Sequence, residues 1–242
     1  IGSFNNNKYK LFFFQDLKYI TNELLLEIYE SYDNIIDVII PDNLISIEDS
    51  AFEGCTSMTS MILSEPGSGD GLTAIGNAAF KGCTSLTSVI VPDSVKSIGH
   101  RAFEGCTSLE SVVISKYMHT MGRGAFNMCT SLKIINIPYS IKTIESETFS
   151  YCTSLSSVVI PGTVYRIDAQ AFAFCVSLKT VSLPSKLKTI SDRTFWGCTS
   201  IKSISIPKLV TSIGVSAFEG CTSLESVFIP RNSNMITIED SA

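Results

Sequence analysis

Three regularities in the 242-residue chain predict an α/β repeat. The expected fold is a curved, right-handed solenoid of about nine coils, with a parallel sheet of short strands and short helical or 3-10 turns. First, the cysteines from Cys83 to Cys221 fall 23 residues apart, and Cys55 lies 28 before Cys83, which is one period plus a short insertion. Second, a phenylalanine stands three residues before every cysteine, from Phe52 to Phe218. Third, a short alternating segment follows each cysteine, such as Ser111-Val112-Val113-Ile114. Alternation is the mark of a half-buried strand, and it points Val112 and Ile114 inward and Val113 outward.

The elements follow in chain order. Residues 1–34 match the period poorly and are expected to form an N-terminal cap, because the end of a solenoid exposes an apolar cross-section. Within it, Tyr9 to Phe14 reads as a short strand. Leu24, Leu25, Ile28, Tyr29 and Tyr32 form a helical stripe that Thr21 or Asn22 would cap. The repeat array occupies 35–242, with Tyr29 and Tyr32 in the phenylalanine and cysteine positions of its first turn. Glu65 to Gly71 interrupts it with the Pro and Gly density of a surface loop. A phosphate loop would need Gly-Lys-Ser/Thr to follow, and Leu72-Thr73 stands there instead.

Inside a coil, proline closes most strands because it donates no hydrogen bond. A second extended piece follows, with Val95 and Ile98 inward. Ala102 to Cys106 then turns the chain, and the Thr-Ser that recurs after cysteine is expected to bond backbone groups at the corner. The last residues, Ile238-Glu239-Asp240-Ser241-Ala242, repeat Ile47-Glu48-Asp49-Ser50-Ala51, where Phe52 comes next. The array is therefore expected to be truncated at Ala242, with further coils or a cap to follow.

Composition excludes several classes. A net charge of −5 is opposite to the basic face that nucleic acid requires. No apolar run reaches the roughly 18–20 residues of a membrane span. Equivalent cysteines on stacked coils lie about 4.7–4.9 Å apart. That is beyond the roughly 3.5–4.5 Å between Cβ atoms that a disulfide prefers, so a reduced, buried ladder is expected. A line of thiols also cannot converge on one zinc ion, so neither metal nor cofactor is expected.

The full pattern is Leu-x-x-Val-x-Ile-Pro-x-x-Val-x-x-Ile-Gly-x-x-Ala-Phe-x-x-Cys. A period in this range is that of a leucine-rich repeat. The pattern resembles the BspA-type leucine-rich repeats, and the resemblance covers residues 35–242. It implies a secreted or surface-displayed adhesin or ligand binder. The aromatic-rich start departs from that family, and no anchoring segment is visible.

No catalytic constellation is apparent, and a non-enzymatic role is expected. His100 and His119 occupy different coil positions. Glu53, Glu104 and Glu219 recur before the Gly-Cys corner and are expected to be solvated. The informative positions are the ones that the scaffold leaves free. Seven residues after each cysteine stand Ile62, Ile90, Val113, Asn136, Val159, Ser182, Ser205 and Phe228. On the concave sheet of a solenoid this row would be a ligand-binding stripe; its bland reading is that such residues simply suit a strand. A second free row contains Lys96, Lys142 and Lys188, with Arg166 nearby. This basic edge would suit an anionic glycan or an acidic partner, or serve only to discourage aggregation. The expected partner is a protein or glycan, met at the cell surface or outside the cell. The alternative is an intracellular protein-interaction scaffold.

Overall fold

The computed structural model describes residues 2–4, 8–12, 18–21, 23–24, 35–40, 43–63, 71–231 and 237–242, the first two segments by backbone alone. Strand β1 (Gly2–Phe4) pairs antiparallel with β2 (Lys8–Phe12). Strand β3 (Tyr19–Ile20) follows, then β4 (Ile35–Ile40), β5 (Ser46–Ile47), β6 (Ser60–Leu63) and β7 (Ala74–Ile75). From there three-residue and two-residue strands alternate: β8 (Ser88–Ile90), β9 (Ser97–Ile98), β10 (Ser111–Val113), β11 (Thr120–Met121), β12 (Ile134–Asn136), β13 (Thr143–Ile144) and β14 (Ser157–Val159). The series continues through β15 (Arg166–Ile167), β16 (Thr180–Ser182), β17 (Thr189–Ile190), β18 (Ser203–Ser205), β19 (Ser212–Ile213), β20 (Ser226–Phe228) and β21 (Thr237–Ile238).

The longer strands stack in parallel along one face, β8 to β16 in a single hydrogen-bonded sheet. The two-residue strands stack along another, β3 to β11 in one sheet. The second extended piece read from the sequence is thus a ladder in its own right. The N-terminal segment feeds both ladders: β2 pairs with β4, and β3 with β5. The turn bearing Tyr29 and Tyr32 lies outside the described residues, as does most of the helical stripe. Leu24 N–H does donate to Thr21 Oγ1 at 3.1 Å, the bond an N-cap side chain makes.

Burial follows the expected alternation. Val112 and Ile114 are buried and Val113 is exposed; Val95 and Ile98 are fully buried. The phenylalanines from Phe52 to Phe195 are completely enclosed and stack ring on ring, with centroids 5.2 Å apart for Phe52–Phe80 and 5.6 Å for Phe172–Phe195. One continuous core therefore runs the length of the stack, as a repeat unable to close a core alone requires.

The corner is built from successive β-turns, and its N–H groups divide their bonds by alternation. Glu104 N–H and Cys106 N–H stay local, donating to Arg101 O and Phe103 O. Arg101, Phe103 and Gly105 N–H instead reach Arg123, Ala125 and Asn127 O of the next coil. This alternation needs left-handed backbone at two places, Arg101 (φ 55°) and Gly105 (φ 71°), and the second is where glycine recurs. The threonine that follows most cysteines bonds a backbone group at a corner, as its position predicts. The acceptor lies on the neighbouring coil, as for Thr130 Oγ1 and Thr107 O at 3.2 Å. The local turn already uses the nearer groups, and the equivalent carbonyl one coil away is the acceptor in reach.

Candidate functional site

The long-strand face brings the first predicted row into one column. Register pairs Ile90 with Val113, Asn136 with Val159, Val159 with Ser182, and Ser205 with Phe228. All eight residues are exposed. Its five apolar members are all more than half exposed: Ile62 54%, Ile90 62%, Val113 58%, Val159 70% and Phe228 64%. Strand pleating produces this, since outward residues such as Val113 sit between core residues, Val112 and Ile114; at Phe228 the flanking Val227 and Ile229 are exposed as well. On one side of the column runs a hydroxyl row, Ser88, Ser111, Ser157 and Ser203, broken by exposed Ile134. Beside that lies a charged row in which Lys133 Nζ meets Glu110 Oε2 at 2.7 Å. The column thus pairs Ile90 with Val113 as adjoining apolar side chains, sets Val159 between Asn136 and Ser182, and has hydroxyl and charged rows alongside.

The basic row also lies at the surface, with Lys96, Lys142, Arg166 and Lys188 all exposed. Arg166 is held by Asp168 through two bonds, Nε–Oδ1 at 2.6 Å and Nη2–Oδ2 at 2.9 Å. Lys96 Nζ donates to Asp93 O at 3.0 Å and lies 4.8 Å from the Tyr117 ring centre.

Two grooves lie on the short-strand face, which sequence reasoning passed over. One, of about 580 Å³, runs over Gly76, Gly99 and Gly122 between Glu48 and Glu145. The other, of about 620 Å³, is lined by Asp168, Asp192, Gly214 and Glu239 among others. The glycine floor is a packing requirement. A Cβ on Gly99 would sit 2.5 Å from Asn77 N and from the Gly76 carbonyl carbon. The signal was the recurring Ile-Gly pair.

Beside the first groove a side-chain ladder joins successive coils. Asn77 N–H donates to Asp49 Oδ1 at 2.6 Å, His100 N–H to Asn77 Oδ1 at 2.7 Å, and Arg123 N–H to His100 Nδ1 at 2.9 Å. His100 is a structural acceptor whose Nδ1 carries a lone pair. The corner carboxylates also depart from the solvated expectation. Glu53 accepts from Ser50 Oγ at 2.6 Å and from Lys81 Nζ at 3.0 Å; these two bonds hold its carboxyl below the usual range. Glu104 is half-buried 3.3 Å from Arg101 Nε, whereas Glu219 is exposed.

A further feature of the surface is an aromatic row. Tyr151 and Phe174 stand where most coils have glycine, and both keep left-handed φ of 58°. Their rings stack at 4.6 Å, and Phe174 meets Trp196 at 4.5 Å. Gly197 makes room, since a Cβ there would lie 2.7 Å from the Phe174 ring.

The cysteines are free and buried. Burial pushes the Cys152 thiol up to about 12, and raises Cys129 and Cys175 as well. Among the described residues no group of three or more His, Cys, Asp or Glu is placed to hold a metal ion. Among them, too, no helix is long and apolar enough to cross a membrane.

Comparison with known proteins places this geometry. A family model described as BspA type leucine rich repeat region matches residues 22–156 and 142–242, in six copies. The chain is similar to the crystal structure of a T. pallidum leucine rich repeat protein, with 32% identity and a TM-score of 0.60 over 80% of this chain and 85% of that one. It also shares its fold with a leucine-rich repeat protein from Bacteroides ovatus, at 22% identity and a TM-score of 0.50 over 84% and 82% of the two chains. No curated protein matches the sequence.

Proposed function

The chain belongs to the BspA-type leucine-rich repeat family, and from that premise we propose a non-enzymatic recognition module that binds a protein partner through its long-strand face. The repeat fold is suited to protein–protein interaction. The observation that carries the assignment to this face is the exposed column through Ile90, Val113 and Val159, which contributes nothing to the core yet is more than half accessible. Burying such a column against a partner gives the apolar centre that dominates binding energy, while the serine and lysine–glutamate rows exclude water around it.

The proposed location is the cell surface or the extracellular space, in an adhesive or ligand-binding role. The free thiols are consistent with an oxidising compartment because they are enclosed and their pKa values are raised, which leaves little reactive thiolate. The alternative is an intracellular scaffold using the same face. Photo-crosslinkers installed at position 113 and, as a control, at position 219 on the opposite corner test the face. Protein adducts specific to position 113 are expected; equal adducts at both positions, or none, would rule the face out. Protease treatment of intact cells separates the locations, since only a displayed chain is digested.

A further inference from the structure

The loops that leave the long strands carry a charge pattern opposite to that of the whole chain. The segments 92–97, 115–120, 138–143, 161–166, 184–189 and 207–212 hold seven of the 18 Lys and Arg residues and only one of the 23 Asp and Glu residues. That one carboxylate, Asp93, is engaged by Lys116 at 2.8 Å. Lys142, Lys186, Lys188 and Lys208 are exposed and have no carboxylate partner among the described residues. Three tyrosines are interleaved with these cations and stand out from the surface: Tyr117 at 51%, Tyr139 at 75% and Tyr165 at 53% exposure. The Tyr117 ring already has the Lys96 and Lys116 ammonium groups 4.8 and 5.0 Å from its centre.

We propose that this edge is a second binding site, distinct from the long-strand face, and that its ligand is an acidic polysaccharide lying along the solenoid axis. The cations supply charge pairing. The tyrosine faces supply the flat apolar surface on which the C–H face of a sugar ring stacks. The spacing also suits a glycan. Stacked coils repeat at about 4.7–4.9 Å, so one cation per coil, or one per two coils as for Lys142 and Lys188, matches a polymer with an anion on every sugar or every second sugar. The acidic remainder of the surface confines a polyanion to this edge.

The test is calorimetric titration of the folded chain with a size-defined heparin octasaccharide, a neutral oligosaccharide of eight glucose units and an oligothymidylate of eight nucleotides. The sulfated octasaccharide is expected to bind, with affinity falling roughly tenfold or more between low and physiological salt because the contacts are exposed. Lys142→Glu with Lys188→Glu is expected to reduce affinity by about tenfold or more, and Tyr139→Ala with Tyr165→Ala by several-fold with little change in the salt dependence. Ile90→Asn with Val159→Asn, on the other face, is expected to leave it unchanged. Lys142→Gln with Lys188→Gln replaces the charge reversal if that pair lowers the thermal midpoint. The proposal is overturned if the sulfated octasaccharide does not bind, if the lysine variants bind as well as the parent, or if the oligothymidylate or the neutral sugar binds equally tightly.

Discussion

The Cys106 Sγ lies 3.1 Å from the carbonyl oxygen of Phe80 in the preceding coil and donates its S–H to it. The same oxygen accepts the Cys83 N–H at 3.2 Å. Both of its lone pairs are thereby used in a site closed to water. The contact recurs from Cys83–Phe52 to Cys221–Phe195. Cysteine is thus selected at this position for two properties at once: it is small and apolar enough for the core, and it carries one weak donor.

Replacing Cys152 by alanine removes the sulfur and its bond to Phe126 O at 3.2 Å. The expected cost is about 1–2 kcal/mol from the lost volume and the lost donor, read by urea denaturation. A cost near zero would mean that the S–H bond and the packing around it are dispensable.

The raised thiol pKa values make stability depend on pH in a definite direction. An unfolded cysteine ionises near about 8.5, while Cys152 in the fold is pushed up to about 12 and Cys221 up to about 11. In this window the native state binds more protons than the unfolded state, so stability falls as pH rises. The contribution is complete below about pH 8.5 and is lost progressively toward pH 11 to 12. Denaturation midpoints between neutral pH and pH about 10 should fall, and less steeply in Cys152→Ala. Thiol reagents should label the native chain only at the rate at which it opens.

Phe149→Ala empties a fully enclosed site between the Phe126 and Phe172 rings, which lie 5.9 and 5.4 Å away. A loss of about 3–5 kcal/mol is expected, with hydrogen-exchange protection falling most in the adjoining coils. Val113→Asn, one pleat outward from the core, should stay within about 0.5 kcal/mol of the parent.

Two glycines make a contrasting pair. Gly99→Ala forces a Cβ to within 2.5 Å of the backbone of the neighbouring coil, whereas Gly162→Ala meets nothing within 4 Å. The first should cost roughly 1–3 kcal/mol, as overpacking does, and the second should be nearly neutral. Equal effects in thermal unfolding would contradict the close approach of coils beneath the groove.

His100 can be tested by what replaces it. Alanine leaves the Arg123 N–H without its 2.9 Å acceptor, while asparagine offers the oxygen that Asn77 supplies one coil earlier. His100→Ala should cost about 1 kcal/mol and His100→Asn much less.

The sequence by itself determined the repeat, its phase and the direction of nearly every core side chain. Phe103, Cys106, Leu109, Val112, Val95 and Ile98 are all buried, as their periodicity requires. A spacing that recurs in every coil leaves one arrangement in which identical residues share an environment. The outward positions Ile90, Val113 and Val159 were legible for the same reason, being the complement of the core. What only the tertiary structure decided lies between coils. Arg123 N–H finds His100 Nδ1 from 23 residues away, and Phe174 packs over the missing side chain of Gly197. The two grooves exist because glycines on separate coils line up beneath them. A period read along the chain gives each residue its place within a coil. Which neighbour satisfies it is set by the distance between stacked backbones, a quantity that no single coil contains.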